Sequence, residues 1–226
     1  MNNMGIKSFG KKLLGKSRAT DRTEEYWKIE SAKSVESVME SICDQYDPKT
    51  FETKKEGVLF SQNIKLDERM TVLDLACGMG RTCRWVAPFV RKYIGVDFME
   101  DMIIKARVYN EKFHNVEFIT NNGRDLANLP SETFDLVYCD LAFQHMVKPI
   151  QQSYVDEVYR VMKKGGLFYV QIAKFDYYKK TCDDAKNFAN TKEEVDKMFQ
   201  KFSNDRHFGH TYTEISDAYF FIKAVK

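Results

Sequence analysis

Short apolar runs alternate with amphipathic segments along the middle of the chain, and this alternation predicts a sheet flanked by helices. Helical spacing of apolar residues covers about 81–90, 98–113 and 149–163. Strands separated in this way favour an open, mostly parallel α/β sheet with helices on both faces. The apolar runs that predict its strands are 71–75, 93–96, 116–119, 134–139 and 167–173.

The last part of the chain predicts the closing edge of the same sheet. A helix is expected over 191–203, because Thr191 is suited to its N-cap and two glutamates follow in its first turn. Two further strands, 210–215 and 219–225, are predicted around a tight turn at Ser216-Asp217. The expected sheet therefore has seven strands and an antiparallel closing strand.

The first 67 residues lie outside this alternation and divide into two parts. Residues 1–20 contain five basic side chains and no acidic one. They predict a flexible basic tail or, because apolar residues are interleaved, a weak contact with an anionic membrane surface. Residues 21–67 predict N-terminal helices that form a cap or lid, with Tyr26 and Trp27 covering a ligand or anchoring the helix to the core. Residues 68–226 form the main domain.

Composition narrows the classes of function that the chain can have. The 226 residues are 43% hydrophobic and carry a net charge of +2, so nucleic acid is not the favoured partner. Five cysteines without a C-x-x-C pair argue against a disulfide framework and fit a cytoplasmic protein. His207-x-x-His210 lacks nearby acidic or Cys partners, so no metal site is expected. The oligomeric state is not indicated.

Glycines and polar side chains follow four consecutive strands of the predicted sheet. The first strand leads into the turn 74–80, and Asp97 ends the second strand, where a carboxylate can accept bonds from both hydroxyls of a ribose. Asn122 and Gly123 follow the third strand, in positions to bind the amine and ring nitrogen of an adenine. The segment 139–145 follows the fourth strand. Because carboxyl ends of parallel strands share one edge, these groups predict a site for a nucleoside-like ligand.

A dinucleotide site is the alternative for such a fold, and the first turn argues against it. Counted from Gly78, the position of the third glycine in G-x-G-x-x-G is Cys83. Asp74 inside the end of the strand is also foreign to that pattern. A nicotinamide dehydrogenase is therefore disfavoured.

Four segments resemble motifs of the class I S-adenosylmethionine-dependent methyltransferases. They are 72–81, 95–103, 125–138 and 157–166, and the resemblance covers about residues 68–175. It implies a Rossmann-like seven-stranded sheet, S-adenosylmethionine as cofactor and S-adenosylhomocysteine as product. Two departures from the family pattern stand out, since Ala76 replaces a glycine and Asn122 replaces an aspartate.

The resemblance also implies a role for individual residues. Asp74 and the 76–80 turn would hold the methionine part, Asp97 the ribose, and Phe98 would pack on the adenine. Asn122 and Gly123 would read the adenine edge, and Asp140 and Leu141 would flank the sulfonium. The predicted cofactor-binding residues are Asp74, Ala76, Cys77, Gly78, Gly80, Asp97, Phe98, Met102, Asn122, Gly123, Asp140 and Leu141.

Two side chains near these motifs have open roles. His145 either accepts a proton from the acceptor, which makes it the candidate catalytic residue, or stabilises its loop by a hydrogen bond. Arg81 is either a surface cation or a partner of a carboxylate. The resemblance implies methyl transfer to a small molecule, a glycan or a lipid. RNA methylation and a non-catalytic binding protein that retains the cofactor pocket are the alternatives.

Overall fold

The computed structural model of the chain describes residues 24–29, 31–34, 37, 63–177, 188–203, 210–213 and 217–226. The predicted basic tail, residues 38–62 of the predicted N-terminal helices, His207 and Ser216 of the predicted turn lie outside these residues. Residues 24–29 are helical, within the part of the chain predicted to form the N-terminal helices, and are called the N-terminal helical segment below.

One seven-stranded sheet organises the described residues, with the strand order β3-β2-β1-β4-β5-β7-β6. The strands are β1 (Thr71–Leu75), β2 (Lys92–Asp97), β3 (Val116–Thr120), β4 (Phe134–Cys139), β5 (Met162–Ala173), β6 (His210–Thr213) and β7 (Tyr219–Val225). The helices after residue 63 include α1 (Cys83–Val86), α2 (Glu100–Tyr109), α3 (Lys148–Val161), α4 (Lys192–Met198) and α5 (Gln200–Ser203).

The pairing of the strands confirms the predicted fold class. Strands β1 to β5 pair in parallel, whereas β7 pairs antiparallel with both β5 and β6. All five residues of β1 are buried, as expected for a central parallel strand covered on both faces. The strand order reverses at β1, between β2 and β4, and ligands of open α/β sheets bind beyond the strand ends at such a point.

Two apolar cores lie on the two faces of the sheet. Because side chains of a strand alternate between faces, Leu73 of β1 lies in one core and the adjacent Val72 in the other. The first core contains apolar residues of α3, α4 and α5, and the second contains those of α1 and α2. Helices therefore cover both faces and leave the carboxyl edge of β1, β2 and β4 for a site.

The predicted boundary between the helix 149–163 and the fifth strand is wrong. The helix ends at Val161 and β5 begins at once, so that Gly165 and Gly166 belong to the strand. The reason is pairing with the end of the chain: the Gly165 N–H donates to the Lys226 carbonyl at 2.6 Å, and the Lys226 N–H donates to the Gly166 carbonyl at 3.2 Å. A contact between residues so far apart leaves no local pattern in the sequence.

The predicted helix 191–203 begins where expected but is interrupted. Thr191 accepts the Glu194 N–H at 3.3 Å while the Glu194 carboxylate accepts the Thr191 N–H at 3.0 Å, which is a complete capping box. Phe199 separates α4 from α5 and is fully buried. The interruption allows Phe199 and Phe202 to pack on Phe168 of β5.

Candidate active site

A single cavity collects the residues that follow the carboxyl ends of β1 to β4. Ten of the twelve predicted cofactor-binding residues line it, and His145 lines it as well. Those ten are Asp74, Ala76, Cys77, Gly78, Asp97, Phe98, Met102, Gly123, Asp140 and Leu141. Gly80 and Asn122 do not line the cavity. Sequence reasoning did not select Glu24, Thr82, Asn121, Met146, Ile150 and Tyr154, which also line it.

The turn after β1 adopts a backbone that glycine favours. Ala76, Gly78 and Gly80 have φ values of +59°, +54° and +72°. The turn is fixed to the neighbouring strand, because the Cys77 N–H donates to the Val96 carbonyl at 2.9 Å. A Cβ on Gly78 would meet no protein atom within 4 Å, so this glycine leaves open space at the cavity wall.

Gly80 has a different role in the same turn. A Cβ on it would lie 2.6 Å from the Asn110 side chain and 2.8 Å from the Phe118 ring. This glycine allows the turn to pack closely against α2 and β3. It therefore supports the shape of the site without lining the cavity.

Asp74 lies at the centre of a buried hydroxyl cluster under the cavity. Its Oδ2 accepts bonds from the hydroxyls of Thr82 at 2.7 Å, Tyr93 at 2.5 Å and Tyr138 at 2.9 Å. Burial raises the pKa of this carboxyl to about 6, although the three hydroxyl donors act in the opposite direction. The hydroxyls hold the carboxylate in one orientation at the cavity wall.

This burial predicts a pH dependence of stability that is specific to Asp74. Its pKa rises from 3.8 to about 6 on folding, so its contribution to the free energy of unfolding is greatest below pH 3.8 and is lost as the pH rises through 6. Asp74→Asn should remove about 2 kcal/mol of the loss between pH 4 and pH 7. Urea denaturation of the wild type and the variant at pH 4 and pH 7 measures this difference in the free energy of unfolding. Asp156→Asn is the matched carboxylate change on the exposed side of α3, and a loss of equal size in wild type and Asp74→Asn would contradict the prediction.

Asp97, the residue predicted to bind the ribose, ends β2 and lines the cavity. Its Oδ2 accepts the Gly78 N–H and its Oδ1 accepts the Met99 N–H, both at 2.9 Å. Burial raises the pKa of Asp97. Each carboxylate oxygen can accept a second bond, so both retain capacity for a hydroxyl of a ligand. Phe98 follows and lies beside Gly123, where an added Cβ would approach Phe98 to 3.1 Å.

The residues after β3 are arranged differently from the prediction. The Asn122 side chain is exposed, and its oxygen accepts the N–H groups of Arg124 and Asp125 at 2.8 and 3.0 Å. The Gly123 N–H donates to the side-chain oxygen of Asn121 at 3.0 Å. Asn121, not Asn122, lines the cavity, and its amide donates to the Tyr154 hydroxyl at 3.2 Å. The groups expected to read an adenine are thus paired within the loop.

Arg81 and Asp140 form a buried ion pair in the cavity wall. Arg81 Nη2 lies 2.9 Å from Asp140 Oδ2, and the side chains are 16% and 5% exposed. Of the two roles left open for Arg81, the structure shows the carboxylate partner. Burial raises the pKa of Asp140, against the effect of the guanidinium. Asp140 Oδ1 is also buried and has no hydrogen-bond partner.

His145 is held at the cavity by a short 3₁₀ turn, Phe143–His145. Gln151 is buried in α3, and its amide donates to the carbonyls of Phe143 at 2.9 Å and Met146 at 3.0 Å. The imidazole stands edge-on to Trp27 of the N-terminal helical segment, with ring centroids 5.3 Å apart. Trp27 itself lines the cavity. The N-terminal segment therefore reaches the site and does not only anchor itself to the core.

Two further observations concern metal binding and membrane-spanning helices. Among the described residues, no group of three or more His, Cys, Asp or Glu side chains is placed to hold a metal ion. In the same part of the chain, no helix is long and apolar enough to cross a membrane. Cys77, Cys83 and Cys139 are free thiols whose pKa values are raised by burial. Among the described residues that line the cavity, the polar side chains carry carboxylates, hydroxyls, an amide, one guanidinium and one imidazole.

Comparison with known proteins shows similarity over the residues that build this site. Residues 72–166 match the family model of a methyltransferase domain. The chain is 28% identical over 142 residues to a sterol 24-C-methyltransferase of Candida albicans, a match that covers 61% of this chain and 37% of that protein. It is 29% identical over 161 residues to a sterol 4-C-methyltransferase of Caenorhabditis elegans, with 63% and 47% covered. The chain thus spans less than half the length of these relatives.

A solved structure shows the same fold at lower identity. The phosphoethanolamine N-methyltransferase 1 of Haemonchus contortus, in complex with phosphoethanolamine and S-adenosylhomocysteine, superposes with a TM-score of 0.69 at 14% identity. The match covers 92% of this chain and 49% of that one.

The cavity has the features that an S-adenosyl cofactor requires. The open side of Gly78 allows close approach to the backbone, and both Asp97 oxygens retain an acceptor site. These features agree with the methyltransferase match over residues 72–166. That part of the chain is therefore similar to a methyltransferase domain, and the cavity fits S-adenosylmethionine as its cofactor.

Proposed function

We propose that the chain transfers the methyl group of S-adenosylmethionine to a small acceptor with an apolar, lipid-like body. The observation that carries this proposal is the composition of the cavity wall beyond the strand ends. That wall is formed by Trp27, Ala142, Met146, Val147 and Ile150, with His145 among them. An apolar wall binds an apolar body by removing its surface from water, at about 25 cal/mol per Å².

The position of this wall fits an acceptor site. Ala142 to Val147 directly follow Asp140 and Leu141, the residues proposed to flank the sulfonium. An acceptor lying against the wall would therefore reach the reacting end of the cofactor. The similarity to enzymes named as sterol methyltransferases supports an acceptor of this chemical class.

The chemistry required of the chain is mainly alignment. Bound S-adenosylmethionine supplies an activated methyl group on a sulfonium. Catalysis then depends on holding the accepting atom in line at about 3–3.5 Å and on excluding water. A hydroxyl or amine acceptor must also lose a proton, and His145 is the group proposed to accept it. Gln151 holds the backbone on both sides of His145 and thereby positions the imidazole.

The other acceptors have less support from the same wall. A glycan presents many hydroxyls, and RNA presents phosphates as well. Apolar side chains form no hydrogen bonds with these groups. RNA binding would also show a steep dependence on salt concentration. A non-catalytic protein that only binds the cofactor would show binding without transfer to any acceptor.

The proposal is tested with S-adenosylmethionine labelled in its methyl group. Incubation with separate lipid, polar-metabolite and RNA fractions of a cell extract should place the label in the lipid fraction. Label confined to RNA or to polar metabolites would contradict the lipid-like acceptor. Cofactor binding without transfer to any fraction would contradict an enzymatic role.

A pair of isoleucines tests the apolar wall once the acceptor is known. Ile150→Ser should raise the KM for the acceptor about tenfold, because the substitution removes an apolar contact worth about 1–3 kcal/mol. Ile104→Ser is the matched control on α2, where the side chain is 51% exposed. Steady-state kinetics with both variants measure the effect. An equal KM for the two variants would contradict the assignment of this wall to the acceptor.

A further inference from the structure

The cofactor cavity has more carboxylates in its wall than cationic side chains. Four carboxylates line it, and they belong to Asp74, Asp97, Asp140 and Glu24. Among the described lining residues, the one with a Lys or Arg side chain is Arg81. The three aspartates are buried or nearly so. In surroundings of low dielectric constant, such uncompensated charge acts over longer distances than it does in water.

The three buried aspartates differ in how well their charge is compensated. Asp74 Oδ2 accepts three hydroxyl bonds, and the two oxygens of Asp97 each accept a backbone N–H. Asp140 has Arg81 on one oxygen only, and its Oδ1 is buried without a partner. Among these three aspartates, Asp140 is the one with a buried oxygen that has no hydrogen-bond partner, and it is next to Leu141 and Ala142, which also line the cavity.

The cofactor and its product differ by one unit of charge. S-adenosylmethionine carries a sulfonium, an ammonium and a carboxylate, so its net charge is +1 at neutral pH. S-adenosylhomocysteine has lost the methyl group and the sulfonium charge, and its net charge is zero. The two molecules are otherwise nearly alike in shape, so their ratio of affinities reports the electrostatic potential in the cavity.

We propose that Asp140 makes this cavity select S-adenosylmethionine over S-adenosylhomocysteine by charge, and that Arg81 limits the strength of the selection. Because Oδ1 is buried and Arg81 pairs with the other oxygen only, Asp140 acts through the field of its charge and needs no direct bond to the ligand. Methyl transfer removes the cation that this field holds, so the product leaves more readily than it would from a neutral cavity. The proposal concerns the cofactor alone and holds for any acceptor.

The expected change in the ratio of the two affinities follows from the electrostatic interaction of two unit charges. At an effective dielectric constant of about 20, charges about 10 Å apart still change an equilibrium by at least about tenfold. Removal of the Asp140 charge should therefore lower the ratio of the two affinities about tenfold. Removal of the Arg81 charge should raise the same ratio.

Isothermal titration calorimetry at pH 8.0 with S-adenosylmethionine, S-adenosylhomocysteine and sinefungin tests the proposal. Sinefungin carries a protonated amine in place of the sulfonium, so it should follow S-adenosylmethionine. We expect Asp140→Asn to lower the preference for both cations about tenfold and Arg81→Gln to raise it. Glu117→Gln, an exposed carboxylate change on β3, should leave the preference unchanged.

Each single variant leaves one buried charge without its partner, which by itself disturbs folding. The double variant Asp140→Asn/Arg81→Gln controls for this effect. It changes no net charge, so its preference should lie between that of Asp140→Asn and that of the wild type. Affinity ratios that stay within twofold of the wild type in both single variants would overturn the proposal. A wild type that binds neither cofactor nor product would instead contradict the cofactor assignment, which is a different failure.

Discussion

Gly80→Ala should destabilise the chain by about 3 kcal/mol, whereas Gly78→Ala should mainly weaken cofactor binding. Both glycines have positive φ, where a Cβ costs about 1–2 kcal/mol. At Gly80 the new Cβ would also lie within 3 Å of Asn110 and Phe118, and such overpacking costs typically 1–3 kcal/mol more. At Gly78 it would meet no protein atom and would fill the space proposed for the cofactor.

Two measurements separate these effects, and each variant is the control for the other. Urea denaturation should give a markedly lower free energy of unfolding for Gly80→Ala than for Gly78→Ala. Calorimetry with S-adenosylhomocysteine should show a loss of affinity for Gly78→Ala that exceeds its loss of stability. Equal destabilisation by both changes, or wild-type affinity in Gly78→Ala, would contradict the assigned roles.

The general position of the site was predictable because it depends on local patterns. A short apolar run followed by glycines predicts a strand and a tight turn, and Asp97 stands directly at the end of the next run. Parallel pairing then brings the carboxyl ends of the strands together without further information. Asp74, Gly78, Asp97 and Asp140 accordingly share one cavity.

The details that sequence patterns leave open are those where two neighbours offer the same chemistry or where partners are distant in the chain. Asn121 and Asn122 are identical side chains, and β3 ends at Thr120, one residue beyond the predicted strand. The first asparagine therefore lines the cavity and the second caps the loop. The ion pair of Arg81 with Asp140 joins residues 59 positions apart, and only the packing of β1 beside β4 brings them together.

The contact between the N-terminal helical segment and the site was also beyond sequence reasoning. Trp27 is an aromatic residue in a helix. Such a residue is equally suited to anchoring the helix to the core and to covering a ligand. Its ring lies 5.3 Å from the ring of His145, which is 118 positions further along the chain. Because the packing of that segment depends on the assembled cavity, no periodicity in residues 21–67 distinguishes the two roles.

His145→Gln should lower kcat about 10²–10⁴-fold for a hydroxyl or amine acceptor while cofactor affinity stays unchanged. Glutamine has a similar polar reach but cannot take up a proton at neutral pH. The backbone that carries the imidazole is fixed, because Gln151 donates to the carbonyls of Phe143 and Met146 on either side of it. Trp27 covers it from the N-terminal segment.

The pH dependence of kcat distinguishes a base from a residue that only stabilises its loop. In the wild type, kcat should rise with pH as the imidazole loses its proton, and this rise should be absent in His145→Gln. His210→Gln is the matched control, because His210 is bonded to Asp196 at 2.9 Å and does not line the cavity. Retention of the pH-dependent rise in His145→Gln would exclude the base, even if kcat were lower. A lower kcat with that rise intact would then assign His145 to the hydrogen bonding of its loop.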